Sequence, residues 1–376
     1  MKIRTITTGI PLPFSPYQLQ RAAKFNADCQ TYFETNGFEV QTTRVSCQIW
    51  DENRDVDTIL RLESDARTLG IEFLNLGTIL PGKRHTQTHI ARIADIIIHS
   101  EILFATVTLT TQSGRVASEI AESTAEVIQQ IAHRTDAGYG NLRFAVLMNC
   151  PPNTPFFPAA YWHDARTNFS IGWQAIDLVQ DAFTDAPNLE VGLQNLKTVM
   201  EAEGQKIVAL AQTFAQEWGV KFVGIDASLA PMGNESIAYA MEQQLPGYFG
   251  ERGTLTVAAG LTRTLQSLAL PLCGYSGLML PVLEDVGLGK RSEAGYFNLD
   301  SLLLYSTVCG TGLDTIPIPG DASTSQITSI LKDVATLSIQ LNKPLSVRLF
   351  PVPGCNADCM TEFDSPYLTN TTVMRV

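Results

Sequence analysis

The sequence predicts an α/β protein, with ten strands alternating with helices in a parallel or mostly parallel sheet and the helices outside. Three observations predict it. Short, β-branched apolar runs alternate along all 376 residues with segments whose apolar positions recur every three or four. No soft linker separates one half from the other, so a single domain over 1–376 is expected; the Pro- and aromatic-rich "PPNTPFFPAAYWHD" (151–164) is the one candidate internal boundary. At 45% hydrophobic and 17% charged residues, the composition suits a large, well-buried core.

The elements follow in order. "IRTITTGI" (3–10) reads as the first strand. The helix over 15–37 has Ser15 as cap, Pro16 in its first turn and Gly37 as its stop. "FEVQTTRVSCQIW" (38–50) is the second strand, and 55–70 a helix stopped by Gly70. "IEFLNLGTIL" (71–80) and "ILFATVTL" (102–109) are the third and fourth strands, flanking a helix from His85. The amphipathic stretch 114–135 leads to the fifth strand, "LRFAVLMNC" (142–150). A sixth strand near Phe169–Gly172 runs into helix, and 188–219 is the longest helical region. "VKFVGIDAS" (220–228) is the seventh strand, followed by helical stretches around Glu235 and Leu261. "GYSGLMLPVLED" (274–285) holds the eighth, "LDTIPIP" (313–319) the ninth and "LSVRLFPVP" (345–353) the tenth. Helices over 298–308 and 323–342 separate the last three.

A net charge of −12 disfavours binding to nucleic acid or anionic membranes, and basic runs with interleaved aromatics are absent. The apolar runs are interrupted and too short to span a bilayer, and "MKIRTITTGIPLP" has no sustained apolar region, so a cytoplasmic protein is expected. Seven cysteines, an odd number, fit reduced core or site thiols better than a disulfide framework. Cys355 and Cys359 form a CxxxC with no matching second pair, so metal ligation is not expected of them; disulfide and free thiols both remain open.

GxxxxGK[ST], a strand-linked GxGxxG, HExxH and GxSxG are all missing, which leaves no nucleotide fingerprint and no elbow-type hydrolase signature. His85 and His89 have a spacing at which two histidines can share a metal; the simpler reading is a polar helix face beside Lys83 and Arg84.

Polar groups collect instead at strand ends, where α/β folds place their chemistry. Asp226 and Ser228 follow the seventh strand; Ser276 precedes the core of the eighth, and Glu284–Asp285 end it. Cys309 precedes the glycine turn into the ninth strand, which carries Asp314 near its start and Asp321 just past its end; the tenth carries Arg348. Asp226 can bind a cation or take a proton, or simply cap the next turn. Glu284 and Asp285 would point to opposite sides of a strand, one to a site and one to solvent. Asp321 can serve a site or cap the helix after it. Cys309 is a nucleophile if its pKa is lowered, and otherwise a packed thiol. "STVCGTGLDTIPIPGD" (306–321) is expected to line a shared polar cavity, with Arg348 partnering Asp314 or Asp321.

Together, "GIDASLAP" (224–231), "CGYSGLMLPVLED" (273–285), "STVCGTGLDTIPIPGD" (306–321) and "KPLSVRLFPVPG" (343–354) resemble the family catalogued as domain of unknown function 711. "IRTITTGI", "PFFPAAY" and "MTEFDSPYL" extend the resemblance over nearly the whole chain. It implies a ten-stranded α/β barrel like that of pyruvate formate-lyase, in agreement with the strand count. No RVxGY-like stretch follows "VMRV", so no glycyl radical is expected. Cys355 stands where the family commonly has lysine, and Asp358 where it has glycine, which removes a basic group from that loop.

The leading reading is an enzyme of unstated reaction with a carboxylate-rich cavity at the strand ends. Asp226, Cys309, Asp314 and Asp321 are its catalytic candidates; Ser228, Glu235, Ser276, Glu284, Arg348 and Glu362 its substrate-binding ones. The carboxylates favour a hard divalent cation such as Mg²⁺, or a small polar metabolite bearing an amine. A non-catalytic sensor using the same cavity, and a structural homo-oligomer with no ligand, are the alternatives.

Overall fold

The computed structural model describes residues 1–11 and 15–376. The leader reading of Met1–Pro13 therefore ends outside the described residues. Nine strands form one sheet: β1 (Lys2–Gly9), β2 (Thr43–Ser46), β3 (Leu74–Ile79), β4 (Leu103–Thr108), β5 (Phe144–Met148), β6 (Asn168–Gln174), β7 (Lys221–Asp226), β8 (Gly312–Pro319) and β9 (Leu345–Val352). Their order is β7-β6-β1-β2-β3-β4-β5-β9-β8, so strands from both sides of residue 155 share the sheet.

β1 to β5 run parallel; β6 joins β1 and β9 joins β5 antiparallel; β7 and β8 then run parallel to β6 and β9. Local sequence explains the helices that cover it. Ser15 and Gln18 build a capping box on Pro16–Thr35, whose Leu19, Ala22, Phe25, Cys29 and Phe33 are buried. Phe25 meets Phe169 of β6 at 5.1 Å between ring centroids. Leu189–Trp218 starts at the Asn188 cap and stops at Gly219 in the left-handed region. Thr324–Leu341 is capped by Ser323 with Gln326, so Asp321 does not cap it.

The sheet is coarser than expected in two respects. Strand pairing does not close the sheet, and the expected eighth strand is irregular chain. Gly274 and Ser276 take positive φ, and Pro281 has no N–H to give a ladder. The segment nevertheless bonds to both edges. Leu272 and Leu278 bridge Ile225 and Leu229 at the β7 side, and Pro281 bridges Asp314 of β8, all parallel. The Val282 and Leu283 amides donate to the Asp314 and Thr315 carbonyls at 3.1 and 3.2 Å. A Cβ at Gly277 would collide with Gly310, which lets this segment lie against the turn into β8. At its end Asp285 caps a helix, Val286–Glu293, that the glycine-rich sequence does not announce.

Asp226 ties the segment to β7. Its carboxylate accepts from the Ser228 amide (3.0 Å) and hydroxyl (2.6 Å), and from the Tyr275 (2.8 Å) and Ser276 (2.9 Å) amides. Burial pushes its pKa up, and these hydrogen bonds oppose the rise. Removing the carboxylate leaves three buried amides unpaired, at about 1–3 kcal/mol for each unsatisfied group before relaxation. Asp226→Ala is therefore expected to cost on the order of 4 kcal/mol in urea-unfolding free energy. A loss under about 1 kcal/mol would contradict this role.

Candidate functional site

A cavity of about 490 Å³ opens against the sheet, and alternation along the strands supplies part of its wall. Lys2 and Arg4 line it from β1, Arg44 from β2, and Ser346 and Arg348 from β9, at spacings of two where a strand gives a pair. Asp314 comes from β8, and Tyr275, Met279 and Glu284 from the irregular segment. The apolar part comes from Phe73, Phe104 and the stretch 156–159. That stretch is held inward, because the Asn75 amide donates to the Pro158 carbonyl (2.5 Å) and the Thr7 hydroxyl to that of Pro155 (2.7 Å). The Pro- and aromatic-rich stretch thus contributes part of the cavity wall.

The charges fall into two groups. Arg348 donates through Nε to Asp314 Oδ1 at 2.5 Å and through Nη2 to Glu284 Oε1 at 2.7 Å. Burial alone would lower its pKa, but the two carboxylates outweigh burial and raise it. A register shift between Leu313 and Ile316 marks a bulge beside Asp314. Thr315 within it has φ +47°, strained for a β-branched residue. Arg4 lies 4.0 Å from Glu284 and donates to Gln41 at 3.0 Å.

Arg44 is different. It is 8% exposed, its Nε donates to Thr42 Oγ1 at 3.1 Å, and its guanidinium sits 5.3 and 5.2 Å from the Phe73 and Phe157 rings. Among the described residues it has no carboxylate partner. Burial pushes its pKa down to about 9, and Arg4 and Arg348 add to that while Glu284 opposes it. It is still a cation at neutral pH. The wall carries Lys2, Arg4, Arg44 and Arg348 against Glu39, Glu284 and Asp314, four basic groups to three acidic. A protein of net charge −12 thus holds a net positive cavity.

The family described as "Uncharacterised ACR (DUF711)" matches residues 1–364. The chain belongs to the DUF711 family. It is similar to a UPF0210 protein of Carboxydothermus hydrogenoformans, with 28% identity over 84% of this chain and 73% of the relative. A UPF0210 protein of Clostridium beijerinckii is 27% identical over 83% of this chain and 73% of its own length. One from Pyrobaculum arsenaticum is 32% identical over 56% of this chain, and the match spans half of that relative.

In this DUF711 chain the expected site residues separate. Asp314, Glu284 and Arg348 meet in the cavity wall. Asp226, Ser228 and Ser276 bond one another behind it, the Ser228 hydroxyl accepting from Gly277 N at 3.1 Å. Glu235 lies beside the cavity, accepting from Gln174 and 3.4 Å from Lys2. Cys309 is a buried thiol whose sulfur accepts from the Gly312 amide at 3.4 Å. Asp321 and Glu362 are exposed, away from the wall. Asp285 is buried rather than solvated; it accepts from Ser236 Oγ, Ile237 N and Leu288 N, and burial pushes its pKa up to about 6. His89 is buried with its ring 5.4 Å from Trp50. Cys355 and Cys359 are joined as a disulfide. Among the described residues, no group of three or more His, Cys, Asp or Glu side chains is placed to hold a metal. Arg4 and Arg44 were missed, though their signal is visible: each is a lone cation inside a strand-like run.

The two buried arginines should respond oppositely to an apolar substitution. Arg348→Met strands two carboxylates and is expected to destabilise by about 3–5 kcal/mol. Arg44→Met removes an unpartnered buried charge and is expected to leave the ligand-free melting temperature unchanged or higher. Equal destabilisation by both would show that Arg44 is paired structurally.

Proposed function

We propose that the chain binds a small organic anion with an apolar body in this cavity. The observation that carries the reading is Arg44, a buried guanidinium flanked by two phenyl rings and without a counter-ion among the described residues. A carboxylate or phosphate would supply the missing charge, and the rings would pack against its carbon skeleton. The interleaved arginines turn the ligand preference from a hard cation or amine to an anion. Asp314 and Glu284 are engaged by Arg348 and act here as its counter-ions.

An enzymatic use of the same cavity is the second reading. Tyr275 on the cavity wall supports it: its hydroxyl accepts from the Cys150 thiol at 3.3 Å, and burial raises its pKa well above the usual value, so it stays protonated and can donate a hydrogen bond to a ligand oxygen. We also propose that the segment 272–285 serves as a tenth stave and completes a single-domain barrel of the pyruvate formate-lyase type; its bonds to both edge strands support this.

The test is calorimetric titration with 3-phenylpropionate, its neutral alcohol analogue 3-phenylpropanol, and phenylethylammonium. The acid is expected to bind and the other two to bind at least ten-fold more weakly, since charge-assisted bonds contribute about 1.5–3 kcal/mol. Arg44→Met should erase the preference. Equal binding of acid and alcohol, or tighter binding of the ammonium ion, would refute an anion site.

A further inference from the structure

The buried charges around Arg44 can be counted, and the count limits what the cavity accepts. Arg4, Arg44 and Arg348 line it with Glu284 and Asp314, three cations to two carboxylates. Arg348 contacts both carboxylates, Asp314 Oδ1 at 2.5 Å and Glu284 Oε1 at 2.7 Å, and Arg4 reaches Glu284 at 4.0 Å. Lys2 stands apart. It faces Glu39 and Glu235, whose side chains are 61% and 40% exposed, so water screens that group. One positive charge is therefore in surplus where screening is weakest. It belongs to Arg44, which has no carboxylate partner among the described residues.

Hydrogen bonding locates the free end of that charge. Thr42 Oγ1 accepts from Arg44 Nε at 3.1 Å and donates to the Arg4 carbonyl at 2.8 Å, which fastens the guanidinium to β1. Neither Nη nitrogen of Arg44 donates to a described residue, and neither is among the fully buried unpartnered atoms, so both keep open surface. Two N–H groups side by side in one plane match the two oxygens of a carboxylate. The charges of Arg4, Arg348 and Glu284 are all felt at Arg44, as their effects on its pKa show. A single negative charge there neutralises the group. A second has no cation left to meet it and sits in the field of Glu284, and an unpaired buried charge is costly.

We infer that the ligand's head is singly charged, a carboxylate and not a phosphate monoester. The inference rests on the anion-binding reading and narrows it to one class of acid. A phosphate monoester carries about −1.5 to −2 charges at neutral pH, so its second charge, rather than its size, excludes it.

The experiment is calorimetric titration of the full chain at about pH 8, where a phosphate monoester is doubly charged. The probes are 3-phenylpropionate, benzyl phosphate and 2-phenylethanesulfonate, the last a tetrahedral head with one charge. The acid and the sulfonate are expected to bind within about five-fold of each other, the worth of one neutral hydrogen bond. The phosphate is expected to bind at least about ten-fold more weakly than either. Glu284→Gln keeps the shape and removes one negative charge, so the ratio of acid to phosphate should fall about ten-fold, towards one. Circular dichroism checks that this variant folds, and the wild-type comparison stands without it. Benzyl phosphate binding the wild type as tightly as the acid overturns the inference and leaves the anion-binding reading standing. A sulfonate rejected as strongly as the phosphate also overturns it, because head shape would then decide, as does a folded Glu284→Gln with the wild-type ratio. If none of the three binds the wild type, the anion-binding reading itself fails.

Discussion

The paired contacts of Arg348 hold the site together. One guanidinium joins β9 to Asp314 on β8 and to Glu284 on the irregular segment, so it fastens three neighbouring stretches at the point where the sheet stops being regular. A buried ion pair is poor evidence of net stability, because desolvation offsets most of the attraction. Its effect here is on specificity. Glu284 lies on a segment with no ladder of its own, and Arg348 gives that segment a fixed distance from the wall. The bulge at Asp314 and the strained Thr315 are local costs of aiming the carboxylate inward.

Once Asp314 and Glu284 are engaged, the remaining cations define the electrostatics. Arg4 still faces Glu284 at the limit of an ion pair, whereas among the described residues Arg44 has a hydroxyl and two aromatic faces and no carboxylate partner. Such a charge is destabilising in an empty protein, and sites that bind are where proteins keep residues of this kind. The protein as a whole carries a net charge of −12, so selection of an anion rests on the cavity and not on long-range steering.

Alternation of β-branched runs with amphipathic helices located all nine strands, because period two and period 3.6 are written in the side chains themselves. The stretch 274–285 misled for the same reason in reverse: it is apolar because it is buried between two edges, while Gly274, Ser276 and Pro281 prevent a ladder. Of the site, Asp314, Glu284 and Arg348 were legible, since strand-end carboxylates near a strand arginine invite pairing. Asp226 looked equally functional, but its turn-capping alternative is what its hydrogen bonds show. Arg4 and Arg44 come from strands distant in sequence from the conspicuous motifs, and only the sheet order brings them to the same space.

The most direct test of the account is an anomalous difference map from crystals soaked in 4-bromobenzoate. The account predicts a bromine peak inside the cavity, with the carboxylate within hydrogen-bond distance of the Arg44 guanidinium and the Arg348–Asp314 and Arg348–Glu284 pairs undisturbed. An empty cavity beside occupied surface sites, or Arg44 turned to pair with Asp314 or Glu284, would contradict it.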